Sequence, residues 1–239
     1  MKVNYHTHTT WCDGMDSAET MVKAAIDRGF EVLGFSAHGD MLSSPLAYIR
    51  EIRSLSAKYR EQIKILCGIE AEEGDTLGLK DKLDYAIGSL HYVRSQDGAK
   101  VAVDHTAQLL SSGIAEHFGG DEEMFVKEYY RQQRAMIERG GFEILGHPDL
   151  IHKFGLLDHV DAKREEALTA DLVAAKNLMV ELNTGAIARG YLDEAYPFPA
   201  FRALFRERGV KFVISSDAHS AAALDCAFDR DWQLTFNAL

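Results

Sequence analysis

Seven short apolar or β-branched runs, KVNYH, EVLGFS, IKILCGIE, DYAIGSLH, FEILGH, LMVELN and KFVISSD, follow one another along the chain with helix-like stretches between them. Near-continuous apolar runs mark strands buried on both faces, and strand–helix alternation implies parallel strands joined by right-handed crossovers. The helices carry their own start and stop signals. Asp16 three residues before Glu19 predicts a capping-box-like start, Met21, Val22, Ala25 and Ile26 form an apolar stripe, and Gly29 supplies the stop. Ser44-Pro45 opens another helix, with proline at a position where its missing N–H costs nothing.

Seven such units predict an α/β fold, a closed or nearly closed TIM-like β/α barrel. An open doubly wound sheet is the alternative, but the first βα turn has no GxGxxG and no P-loop is present. The stretch from about Tyr92 to Gly120 is polar, scattered with glycines and without a clean period, so it reads as an excursion over the barrel mouth.

Composition narrows the class. The 239 residues are 46% hydrophobic and 26% charged, with no linker or repeat, which suits one domain over residues 1–239. No signal-peptide layout and no apolar run near the roughly 18 to 20 residues of a membrane span are seen, so no membrane partner is expected and a cytoplasmic location is. Cys12, Cys67 and Cys226 are odd in number and lack a CxxC pair, as suits reduced thiols. A formal charge of -11 argues against a nucleic-acid partner, because backbone affinity needs clustered Lys and Arg.

The reactive side chains fall at the ends of the predicted strands. His6 and His8 close the first, His38 follows the second, Glu70 ends the third, His91 the fourth, His147 the fifth, and Asp217 with His219 the seventh. In a parallel barrel these C-terminal ends meet at one face, where such barrels place their active sites. Taken singly, each histidine is an ordinary polar residue, GHPD a turn and SSDAH a helix cap. Their coincidence at six of seven strand ends is what points to metal. Residues i and i+2 on a strand face the same side, so His6 and His8 can grip one ion together. Imidazole with carboxylate suits Zn, Fe or Mn, and nine candidate ligands, counting Asp13, exceed the needs of one tetrahedral ion, so two or three divalent ions are expected.

The motifs HTHTTWCDGMDS, GFSAHGD, GIEAE, DYAIGSLHYV, GGDEEMFVKEYY, ILGHPDLIHKF, ELNTG and ISSDAHS together resemble the polymerase and histidinol phosphatase (PHP) metallophosphoesterases, in detail their histidinol-phosphatase branch. The resemblance covers nearly the whole chain and implies a distorted (β/α)7 barrel. It implies a first metal held by His6, His8, Glu70 and Asp217, and a second held by bridging Glu70 with His91 and His147. A third would take His38, His219 and Asp13, where many members supply a histidine. Ala37 is a departure, since the family often reads Ser-Asp-His there and the missing carboxylate would have oriented the histidine.

Hydrolysis of a phosphate monoester needs a nucleophile, charge neutralisation and a proton for the leaving alkoxide, and bound metal ions serve the first two. Asp217 and His219 are the candidate proton donors. The resemblance implies a cationic pair on the phosphate, with Arg189 and either Lys153 or His152 as its members, although the family usually carries its arginines at other spacings. Asn183 is a further candidate for orienting substrate or a ligand. His105, His117 and His159 match no ligand motif, while the first two lie in the excursion and could touch substrate.

A small phosphorylated substrate follows, with L-histidinol phosphate the one the resemblance favours. Alternatives are a nucleotide or sugar phosphate, a nuclease, an amidohydrolase, and a metal-binding module without catalysis. Glu70 opposes the amidohydrolases, which commonly place a lysine at the bridging position.

Overall fold

The computed structural model describes residues 1–239. Its nine strands are β1 (Val3–Asn4), β2 (Val32–His38), β3 (Lys64–Glu72), β4 (Tyr85–Ser89), β5 (Tyr92–Arg94), β6 (Lys100–Ala102), β7 (Ile144–Leu145), β8 (Met179–Asn183) and β9 (Lys211–Ser215). Seven of them form one sheet in the order β1-β2-β3-β4-β7-β8-β9, with every neighbouring pair parallel. These are the seven runs expected from the apolar pattern. Helices α1 (Ala18–Asp27), α2 (Pro45–Tyr59), α3 (Ala107–His117), α4 (Glu122–Arg139), α5 (Lys163–Ala175), α6 (Gly185–Ala188) and α7 (Pro199–Glu207) fill the connections. No helix is long and apolar enough to cross a membrane.

The sheet curls until its two edge strands meet just beyond their C-terminal ends. Thr7 and Ala218 form a parallel bridge there, with His8 N–H donating to Ala218 O at 2.8 Å and Ala218 N–H to His6 O at 3.3 Å. The result is a nearly closed seven-stranded barrel.

Its interior is layered. Val3, Tyr5, Val32, Leu66, Tyr85, Ile87, Ile144 and Val213 make one buried apolar cluster, distinct from the larger one that joins the strands to the helices. Tyr85 is its plug: the hydroxyl donates to Tyr5 O and Phe35 O, and a Cβ on Gly34 or Gly68 would overlap the tyrosine. Successive same-face positions then carry chemistry toward the mouth, because side chains on a strand repeat every two residues. On β3 the series is Leu66, Gly68, Glu70, and the β2–β3 register sets His38 beside Glu70.

Two local readings change. Ser17, one residue after the expected cap, accepts the Thr20 N–H at 3.2 Å and starts α1, while Asp16 accepts the Ala221 N–H at 2.7 Å instead. The stretch after Tyr92 is also more regular than its composition suggests. β5 and β6 pair as an antiparallel hairpin, and Thr106 caps α3 by accepting the Leu109 N–H at 3.1 Å. Gly29 ends α1 with φ of 71°, the left-handed conformation expected of it.

Candidate metal centre

The C-terminal strand ends gather all nine expected ligands. Glu70, 1% exposed, is the hub: its Oε2 lies 3.2 Å from His6 Nε2, 3.5 Å from His8 Nε2 and 3.0 Å from His38 Nδ1. Its Oε1 lies 3.0 Å from His147 Nε2 and 3.3 Å from His91 Nε2. Asp217 Oδ1 stands 3.1 Å from His8 Nε2 and 3.7 Å from His6 Nε2. Asp13 Oδ2 lies 3.2 Å from His219 Nε2 and 3.7 Å from His38 Nε2. Asp217 adopts φ of 50°, a left-handed conformation that non-glycine residues hold where surrounding structure enforces it.

Donor atoms fall into four overlapping groups, each within 4.8 Å: His8–Asp13–His38–His219, His6–His8–Glu70, His6–His147–Asp217 and His38–Glu70–His91. His8 therefore reaches the Asp13 group as well as His6 and Glu70. Within this cluster His6 Nε2, His8 Nε2 and Glu70 Oε2 are buried with no hydrogen-bond partner. Buried polar atoms are rarely left so, and atoms aimed at common points rather than at one another are what ions between them would satisfy. The donor set thus fits divalent metal.

Charge in the cluster agrees. Burial, with His219 and His38 nearby, pushes His8 down to about 3, so this imidazole stays neutral with a lone pair to offer. For Glu70 burial acts upward, but His6, His38 and His91 outweigh it and hold the carboxyl well below its usual range. Asp217 behaves likewise, with Arg189 the largest influence opposing burial.

A surrounding set of acids fixes the rings. Glu181, fully buried on β8, lies 2.9 Å from His6 Nδ1 and accepts the His147 backbone N–H at 2.9 Å. Glu72 sits 2.6 Å from His91 Nδ1. Such partners fix tautomer and orientation of metal-ligating histidines. Sequence reasoning missed both, although a lone acid in LMVELN and a second acid two residues after Glu70 were the available signals.

The cluster floors a cavity of about 420 Å³ whose lining includes Arg189, Lys153, Tyr191 and Asp104. Arg189 Nη2 lies 3.0 Å from Asp217 Oδ2, and its Nη1 lies 3.1 Å from His219 Nδ1. Lys153 Nζ, over the Tyr191 ring at 4.8 Å, donates to Asp104 O at 2.7 Å. Two other expected residues do not join the lining. His152 turns away to lie 2.6 Å from Asp158 and to stack on Phe198 in a separate cleft, because the short 3-10 turn Leu150–His152 points successive side chains in different directions. Asn183 is wholly buried, with Nδ2 donating to Glu181 at 2.8 Å and Oδ1 accepting the Gly185 N–H at 2.8 Å, so it lies behind the cavity wall and braces Glu181. His105, His117 and His159 pair with Tyr92, Asp97 and Glu122, outside the cavity.

A parallel barrel carrying histidines and carboxylates at the C-terminal ends of its strands has the architecture of a metal-dependent enzyme. Comparison with known proteins gives its kinship: residues 4–185 match the PHP domain model, and the chain belongs to the PHP family. It is 30% identical to a Deinococcus radiodurans protein named "Probable histidinol-phosphatase", over 93% of this chain and 88% of that one. A candidate histidinol phosphatase from Listeria monocytogenes shares the fold, with a TM-score of 0.84, 24% identity and coverage of 95% of this chain and 98% of that one. The histidinol phosphate phosphatase of Lactococcus lactis, solved with zinc, L-histidinol and phosphate, gives 0.67 at 21% identity, covering 97% of this chain and 89% of that one.

Proposed function

We propose that this protein is a metal-dependent phosphatase that hydrolyses L-histidinol phosphate to L-histidinol and phosphate, a step of histidine biosynthesis. One observation carries the reading: nine imidazole and carboxylate donors converge at one end of the barrel, and seven of them line a small cavity together with Arg189 and Lys153. A volume of about 420 Å³ suits a small ester better than a polymer. The name of the Deinococcus relative and the ligands in the Lactococcus structure support the choice of substrate.

His6, His8, Asp13, His38, Glu70, His91, His147, Asp217 and His219 would hold two or three ions. Bound divalent ions supply an activated water as nucleophile and a positive clamp for phosphate. Arg189 and Lys153 then bind phosphate oxygens, Arg189 through its planar fork of donors and Lys153 as a point charge. Asp217, ion-paired with Arg189 and held ionised, has no proton to give, so its part is ligation and the orientation of Arg189. His219 is the remaining candidate for protonating the leaving oxygen. Cytoplasmic location agrees with the three free thiols.

The test is phosphate release from L-histidinol phosphate beside nucleotide and sugar phosphates, with metal content fixed by elemental analysis. Preference for histidinol phosphate with two or three ions per chain supports the reading; full metal loading with preference for another ester overturns the substrate and keeps the chemistry.

A further inference from the structure

Four carboxylates line the cavity, and three of them, Asp13, Glu70 and Asp217, belong to the ligand constellation. Asp104 does not. It stands between β6 and α3, on the excursion that the barrel does not need for closure, with its side chain 22% exposed toward the cavity. Its Oδ1 is buried and has no hydrogen-bond partner, and its Oδ2 is 3.5 Å from Lys153 Nζ. The short bond of that lysine goes to the main-chain carbonyl of Asp104 at 2.7 Å. Holding Lys153 therefore does not require the carboxylate, and an ionised carboxylate is an acceptor whose desolvation goes uncompensated without a donor.

A phosphate group cannot be that donor, since two anions would meet. The other half of the substrate offers one. In L-histidinol phosphate an ammonium sits on the carbon next to the ester methylene, so anion and cation are close neighbours in the molecule. Lys153 and Asp104 present opposite charges side by side with the matching polarity.

We propose that Asp104 is a specificity-determining residue that binds the ammonium group of the substrate's alcohol half, an assignment that rests on the histidinol phosphate reading above. It selects amino-alcohol phosphates over neutral monoesters, while Arg189 and Lys153 recognise the phosphate that all monoesters share.

The experiment compares wild-type and Asp104→Asn enzymes of equal metal content on L-histidinol phosphate and on its deamino analogue, 3-(imidazol-4-yl)propyl phosphate. The amide keeps the shape and leaves the main-chain carbonyl to Lys153. Loss of a charge-assisted hydrogen bond is expected to raise KM for histidinol phosphate by about tenfold or more, with kcat/KM for the analogue within about twofold of wild type. Equal losses on both esters, or no change on either, overturn the assignment. A wild-type enzyme inactive on histidinol phosphate overturns the substrate reading itself, and the wild-type measurement alone reveals that case. Thermal melting of Asp104→Asn accompanies the kinetics, and a midpoint at or above wild type shows that the carboxylate is not a structural support.

Discussion

Glu181 Oε2 lies 2.9 Å from His6 Nδ1, which leaves Nε2 of that ring to face Glu70 and Asp217. The same carboxylate accepts the backbone N–H of His147 and the side-chain amide of Asn183. One buried acid thus orients ligands on two different strand ends. Replacing it with Gln keeps the volume and weakens the grip on His6, so Glu181→Gln is expected to lower metal affinity or activity by about 10- to 100-fold. Metal titration by calorimetry reads this directly, and affinity equal to wild type would remove Glu181 from the account.

Metal removal should also destabilise the barrel. A ligand at about 100 times its Kd adds about 2.7 kcal/mol to the folded state, worth roughly 5 to 10 °C in melting midpoint for a chain of this size. Chelation is expected to abolish phosphate release and lower Tm together, and Zn, Mn or Fe to restore both. A Tm indifferent to chelator would mean that the cluster stands without ions.

Arg189 is placed to separate binding from ligation, because it touches Asp217 and lines the cavity without belonging to any donor group. Arg189→Met is expected to reduce kcat/KM by about 10²- to 10³-fold at unchanged metal content, with partial recovery in Arg189→Lys. Inorganic phosphate tested as a competitive inhibitor provides the check: undiminished inhibition of the Met variant would exclude Arg189 from phosphate binding.

Asp149, a buried carboxyl outside the donor groups, gives a pH dependence of stability. The side chain is wholly buried, Oδ2 accepts the Phe198 N–H at 2.6 Å and Oδ1 has no partner. Burial, opposed by His152 and the Phe198 N–H, pushes its pKa up to about 6 from an ordinary 3.8. The folded state therefore holds this proton to higher pH than the unfolded chain does. Its stabilising share is complete below about 4 and disappears as pH rises toward 6, at most roughly 3 kcal/mol. Asp149→Asn removes the titration, so its Tm relative to wild type is expected to rise between pH 4 and 6.5. A difference in Tm that stays constant across that range would contradict the shift.

Much of this molecule was legible in its sequence because a parallel barrel writes plainly. Strands buried on both faces read as apolar runs, and at six of the seven a candidate ligand interrupts the run at its end, as Glu70 does in IKILCGIE and His147 in FEILGH. Helix α3 was harder, since AQLLSSGIAEH mixes Ser-Ser-Gly with its apolar residues and buries only Leu110 and Ile114. His152 and Lys153 differ by one position, and no sequence period says which of two neighbours in a short turn points inward. Glu181 and Asp104 meet His6 and Lys153 across 175 and 49 residues of chain, distances at which local pattern is silent.

The bridge between Thr7 and Ala218 gives the barrel an order of assembly. His6 and His8 follow the first barrel strand, whereas Asp217 and His219 are synthesised only after all seven have been made. The nascent chain therefore carries an open barrel and an incomplete donor set until its last strand is made. Chains that end before β9 retain seven of the nine donors but lack the residue that brings the edges together, and the two donor groups that contain Asp217 or His219 cannot be completed without the last strand.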